Sequence, residues 1–366
     1  MRLMKKWMLS LLVATSIPLS HGQGCGEINE RREFRQLTAE ERTNFITAVN
    51  TLKQTGLYDQ LVNVHLSYVP HAHSTPPFFP WHRFFIYQFE NALRSIDPNM
   101  MLPYWDWTID AWSPESSELW SWLGGNGSGN RASCLLDGPF GGWQAPYPRY
   151  HCLARRWDNG QSISSFWSAQ SINNIIRRSR SYDELRGYIE PGPHANVHFG
   201  IGGDFRVMSS PNDPLFWMHH AFIDKIWADW QEENPRIAMD YSGFNPVNDR
   251  QATLNDPLDP FGYTVGDVID TTSLCYRYST GRSRRAVDLD KRWLVDEPVE
   301  ELLNSLNSTL RLNEVIDSLI GVDQPDYAQL LDLPGPLNRD LRKVNVPAAL
   351  DLESIRMYGF DERKIY

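Results

Sequence analysis

The sequence predicts a mainly α fold, an antiparallel four-helix bundle with long loops and a helical extension at its C-terminus. Three observations predict it. Apolar residues recur at helical spacing in several separate segments, and those segments carry helix start and stop signals. Eight histidines then fall into two groups in or beside the helical stretches, as expected where facing helices of a bundle share an interior site.

The chain opens with Arg2, Lys5 and Lys6, the apolar run WMLSLLVATSIPLS, and the small residues Ser20 and Gly22. This is the pattern of a secretory signal peptide, with a run too short to span a bilayer comfortably. Residues 1–22 are therefore expected to be removed, leaving a core at 23–285 and an extension at 286–366. Without Arg2, Lys5 and Lys6 the formal charge of −10 becomes −13. Such an acidic chain is a poor partner for nucleic acid or an anionic membrane surface.

Thr38 and Glu41 form a capping box, and Phe45, Ile46, Val49 and Leu52 follow at helical spacing until Gly56. Pro76, Pro77 and Pro80 argue against regular structure, so the next helix is expected from Trp81, with Phe85, Ile86, Phe89 and Leu93 on one face. His82 shares that face. Residues 103–160 read as loops. Helical patterns return in ISSFWSAQSINNIIRRS and SYDELRGYIEPG, and strongly in SPNDPLFWMHHAFIDKIWADWQEENP, bounded by Pro214 and Asn234-Pro235. Residues 236–285 read as loop and short strand. In the extension, Val299, Leu302, Leu303, Leu306 and Leu310 predict one more helix.

Cys25, Cys134, Cys152 and Cys275 suit two disulfides in an exported chain. Of the three possible pairings, a local Cys134–Cys152 clip with a Cys25–Cys275 tie is favoured. The sequons at Asn126 and Asn307 are compatible with export and glycosylation.

Nine histidines lie beyond residue 22. His65, His71, His73 and His82 form one group and His194, His198, His219 and His220 the other, with His151 alone. His194 and His198 are one helical turn apart. His220 sits in a helix that is apolar nearly all round and so is buried, where its ring nitrogens need partners. A single such histidine is more often a hydrogen-bonded core residue than a ligand. Two sets without HExxH or cysteine pairs do not resemble structural zinc; imidazole-only ligation suits copper, zinc or nickel, two ions side by side.

The span from His73 through STPPFFPWHR to Glu90 resembles the first copper signature of the tyrosinase family: a histidine, eight residues, His-Arg after an aromatic, and a glutamate seven residues on. DPLFWMHHAFID resembles the second signature, with HANVH and a glycine pair upstream, and YDQLVNVH looks like the approach to the first ligand. RREFRQLTAEER and the YRY at Tyr276–Tyr278 resemble the family's core boundaries, so the likeness spans roughly 30–280 and is to the secreted, invertebrate-like type.

The resemblance implies a dicopper centre inside the bundle, with two copper ions, one on His65, His73 and His82 and one on His194, His198 and His220. His220 is preferred to His219 because the family's ligand precedes an aspartate, here Asp224, by four. His71 is expected to be a polar loop residue; some members carry a cysteine there, bonded to the second histidine. Phe78, Phe79, Trp81, Phe85, Phe216 and Trp217 are expected to wall the site, and Asp224 and Glu90 are candidates to orient the imidazoles, with ion pairs to Arg83 or Lys225 an equal explanation of them. With dioxygen as co-substrate, the implied activity is oxidation of o-diphenols to o-quinones and, in some members, ortho-hydroxylation of monophenols, on small phenols or protein tyrosines. Monophenol activity in the family is associated with the residue after the first ligand of the second set, often Asn. Here that residue is Ala195, with Asn196 next, bulky Phe199 after His198, and Phe205 where a Met is frequent. These departures make catechol oxidation the safer expectation. Family extensions often cover the copper pocket, and the basic run at Arg282–Arg285 is a candidate cleavage point. An oxygen carrier of the haemocyanin type and a non-catalytic matrix protein share the same implied fold.

Overall fold

The computed structural model describes residues 25–129 and 132–279. The expected signal segment, the Arg282–Arg285 run, Asn307 and the helix expected in the extension lie outside the described residues. In chain order come β1 (Asn29–Arg31), α1 (Ala39–Gln54), α2 (Leu57–Ser67), α3 (Val69–Ala72), α4 (Phe78–Arg94), α5 (Leu119–Leu123), β2 (Gln144–Ala145) and β3 (His151–Cys152). Then follow α6 (Ala169–Arg178), α7 (Tyr182–Ile189), a π-helical turn at Glu190–His194, α8 (Ala195–Ile201) and α9 (Leu215–Glu233). The described chain closes with β4 (Phe244–Asn245), β5 (Arg250–Gln251), β6 (Pro257–Leu258), β7 (Tyr263–Thr264), α10 (Val265–Val268) and β8 (Tyr276–Tyr278). The fold is mainly α, as predicted, and the strands pair only two at a time.

The Thr38–Glu41 capping box starts α1, donor and acceptor reciprocated. Gly56, at φ 78°, turns the chain directly into α2. The expectation that prolines delay the next helix is corrected: α4 begins at Phe78, capped by Pro77 and with Pro80 in its first turn. Proline is tolerated there because first-turn N–H groups have no intrahelical partner to lose. α9 runs between Pro214 and Asn234, as the flanking residues indicated.

The buried faces of α4 and α9 pack on each other at the centre, with α1 against α4 and α6 against α9. A buried polar knot ties this pair to the ends of the domain. Asp224 on α9 accepts from Arg83 Nε of α4 at 2.5 Å and from the hydroxyls of Tyr276 and Tyr278 at 2.6 Å each. Arg31 on β1 pairs with Glu90 at 2.8 Å, and Glu90 also accepts from Leu102 N. Buried charges persist where each is hydrogen-bonded like this. β1 and β8 run parallel, Asn29 opposite Tyr276, and the Cys25–Cys275 disulfide closes the same corner. Cys134–Cys152 clips β3, so both favoured pairings are present.

Candidate metal centre

Each helix brings its histidine inward for a local reason. His65 ends the buried face of α2, which also holds Tyr58 and Val62. His82 lies on the buried side of α4, four residues after Phe78. His73, just past α3, is carried in by an extended residue before the proline turn. His194 closes the π turn and His198 sits one turn on in α8. His219 and His220 are both buried on α9.

The seven imidazoles form two clusters, His65, His73 and His82, and His194, His198, His219 and His220, whose donor atoms lie within 4.8 Å of one another in each. The clusters adjoin: the rings of His82 and His220 stack at 4.3 Å, and His73 lies 6.5 Å from His194. All six histidines expected as ligands are therefore together. His71 is exposed near Tyr68, outside both clusters.

Hydrogen bonding fixes the tautomers. Nδ1 of His65 faces Met208 O at 2.8 Å, that of His82 Phe78 O at 2.8 Å, that of His194 Glu190 O at 3.0 Å and that of His198 Phe205 O at 2.6 Å. A carbonyl only accepts, so each Nδ1 carries the proton and each Nε2 keeps a lone pair, the form that binds a metal. Nε2 of His65 and His82, Nδ1 of His73 and both nitrogens of His220 and His219 are buried without a hydrogen-bond partner. Burial holds His65, His82, His194, His198, His219 and His220 well below the usual imidazole range, and lowers His73 to about 4. Buried neutral imidazoles with lone pairs converging fit a pair of cations, and a cation would satisfy the atoms that the protein leaves unpaired.

Two phenylalanines cover the junction. Phe78 lies within 5.0 Å of both His82 and His194, and Phe216 4.1 Å from His220 and 5.2 Å from His65. Trp81 and Phe85 flank His65, while Phe79 stacks on Trp227 and Trp217 on Phe89, plain core packing. Ala195 is buried directly after His194. Asn196 is half-buried, its Oδ1 unpartnered, and Phe199 is half-buried beneath the Arg206 guanidinium, 5.0 Å above the ring. Phe205 stacks on His198 at 4.5 Å.

Of the two expectations for Asp224 and Glu90, the ion pair holds: Asp224 pairs with Arg83 as anticipated and Glu90 with Arg31, while backbone carbonyls hold the rings. No side-chain signal marks those carbonyls in a sequence. His219, set aside in favour of its neighbour, joins the second cluster, and the doubled histidine was its one signal. Gly202 and Gly203 have φ of 64° and 59°, and a Cβ on them would lie 1.9 Å from Arg156 O and 2.2 Å from Ala154 O. The glycine pair thus lets the turn after His198 lie against the 154–156 backbone. Beside it, Asn126 is engaged in loop closure, its Nδ2 donating to Gly160 O at 2.6 Å.

Residues 55–233 match the family profile described as the common central domain of tyrosinase. The chain is similar to a tyrosinase of Aspergillus flavus, ustQ, at 35% identity over 283 residues, covering 68% of this chain and 78% of that one. It resembles the solved structure of a single-substitution variant of polyphenol oxidase from Thermothelomyces thermophila, with a TM-score of 0.59, 26% identity, and 69% and 88% of the two chains covered. Deoxygenated haemocyanin from Rapana thomasiana shares the fold, with a TM-score of 0.53, 19% identity, and 74% and 75% covered.

Proposed function

Because the chain belongs to the tyrosinase family, we propose that it is a secreted oxidase that uses two copper ions and dioxygen to convert o-diphenols to o-quinones. The observation that supports this most is the convergence of two buried, neutral imidazole clusters. His65, His73 and His82 would hold one ion and His194, His198 and His220 the other. Copper supplies what no side chain offers, a pair of one-electron centres matched to a two-electron change in dioxygen. In the balanced reaction two catechols and one dioxygen give two quinones and two waters.

The protein's own part is positional. Carbonyls of Phe78, Met208, Glu190 and Phe205 keep four rings proton-bearing on the outer side. Phe78 and Phe216 exclude water from the junction. Ala195 and Phe199 present no hydrogen-bonding side chain beside the second set, which favours catechols over monophenols, whose proton must first be removed. Asn196 is the nearby amide that still could aid that step. Small phenols and protein tyrosines are the substrate classes, with pigment-type quinone products. The leader-like residues 1–22 and the two disulfides support export; no helix of the described residues is long and apolar enough to cross a membrane. The charge of −10 disfavours nucleic acid as a partner. Residues 286–366 would restrain activity until cleavage near Arg285.

The test is copper stoichiometry, oxygen uptake and quinone absorbance on copper-loaded protein, before and after cleavage near Arg285, with a catechol and a monophenol supplied separately. Two coppers per chain with rapid quinone formation from catechol support the reading. Two coppers that bind dioxygen reversibly without turnover in either form indicate a carrier. Protein that takes up no copper refutes the site and leaves the matrix role.

A further inference from the structure

We propose that Asp204, backed by His151, is a positioning residue that aims His198 at the second ion. This rests on the reading of the second cluster as a metal site. His198 donates from Nδ1 to the Phe205 carbonyl at 2.6 Å, so the direction of that one carbonyl sets where the Nε2 lone pair points. The carbonyl lies in the turn that follows Gly202 and Gly203, which the missing Cβ atoms let rest on residues 154–156.

One side chain anchors that turn. Asp204 is buried, and its carboxylate accepts from Ala154 N at 2.8 Å, from Asn212 Nδ2 at 2.9 Å and from His151 Nε2 at 2.8 Å. Its own N–H donates to Ala154 O at 2.9 Å. The carboxylate therefore joins the strand edge, the glycine turn and the segment around Asn212, which also reaches Tyr147 O at 2.8 Å. His151, 29% exposed, is held on its other side, with Nδ1 2.6 Å from Arg149 O. Both ring nitrogens thus face oxygen atoms, which hold the ring in place against the carboxylate. The neighbouring Cys134–Cys152 disulfide and the Cys134–Ala154 β-bridge hold this strand edge on its other side. His151, like His71, lies outside both clusters, and the structure assigns it to this support.

The isosteric D204N variant retains the shape but replaces one acceptor oxygen by a donor, so at least one of the three incoming N–H groups loses its partner. The test titrates full-length protein with copper(I) against a chromophoric chelator, without substrate, in two backgrounds. In H82A, which disables the first cluster, D204N should weaken copper binding by about 10- to 100-fold, with a smaller loss in H151Q. In H220A, which disables the second cluster, both variants should leave the affinity unchanged. The core variant L52A calibrates the effect of lowered stability alone. Equal loss in both backgrounds, or a loss matched by L52A at the same melting temperature, makes Asp204 merely structural and overturns the inference, as does no loss in H82A. Failure of otherwise wild-type protein to bind two coppers refutes the proposed function itself, and the inference falls with it.

Discussion

Acidification of the metal-free protein from about pH 7.5 to about pH 5.5 should bring it close to unfolding. Seven buried histidines are held neutral, each lowered chiefly by burial. On unfolding each recovers an ordinary value near 6.5, so the unfolded chain takes up protons that the folded one refuses. Stability then falls as pH falls through the unfolded value. At pH 5.5 each ring contributes about 1.4 kcal/mol of destabilisation, roughly 10 kcal/mol for the set of seven relative to pH 7.5. Glu190, pushed up to about 7 by burial against the pull of Arg186, binds its proton in the folded state and offsets about 2 kcal/mol. A net loss of about 8 kcal/mol is comparable to the entire stability of many domains. Urea melts of chelator-treated protein at the two pH values measure it directly. Copper-loaded protein, whose rings stay neutral on the metal, should resist the same acidification. Metal-free protein whose unfolding free energy differs by less than about 1 kcal/mol between them would refute the reasoning.

Four further outcomes follow from the geometry. H82A and H220A should each leave one copper per chain by metal analysis, whereas H71A and H219A should keep two; loss of an ion in H219A would exchange the roles assigned to the neighbours on α9. A195N should raise the monophenol rate relative to the catechol rate by about tenfold, read as the ratio of initial velocities. D224N weakens a buried carboxylate that faces Arg83 and two tyrosine hydroxyls, and should lower stability by about 3–5 kcal/mol in urea unfolding. G202A forces a Cβ to within 1.9 Å of Arg156 O at φ 64°, and should lose at least about 2 kcal/mol together with copper affinity.

Legibility in the sequence followed the range of the forces involved. Capping at Thr38 and the stop at Asn234-Pro235 are local, and both ends appear where the residues put them. The start of α4 was misjudged because proline's restriction was applied to the first turn, where it does not act. The histidine sets were legible because nine rings beyond residue 22 are few enough for their grouping to stand out. Their partners were not: Met208 and Phe205 act through backbone oxygens 143 and 7 residues from the rings they hold. Asp224 illustrates the same limit from the other side. Service to the imidazoles and an ion pair with Arg83 were equally open from the sequence; the side chain takes the ion pair, and the two tyrosine hydroxyls from β8 that join it carried no local signal.

The corner where β1 meets β8 has a mechanical consequence. Cys25 and Cys275 lie 5.5 Å apart between Cα atoms and are covalently joined, so the residues between them form a closed ring. Tension applied at the two flanks passes across the bridge and does not travel through the helices that hold the histidines. Tethering the protein to a surface by either flank, or by both, would leave those helices unstretched.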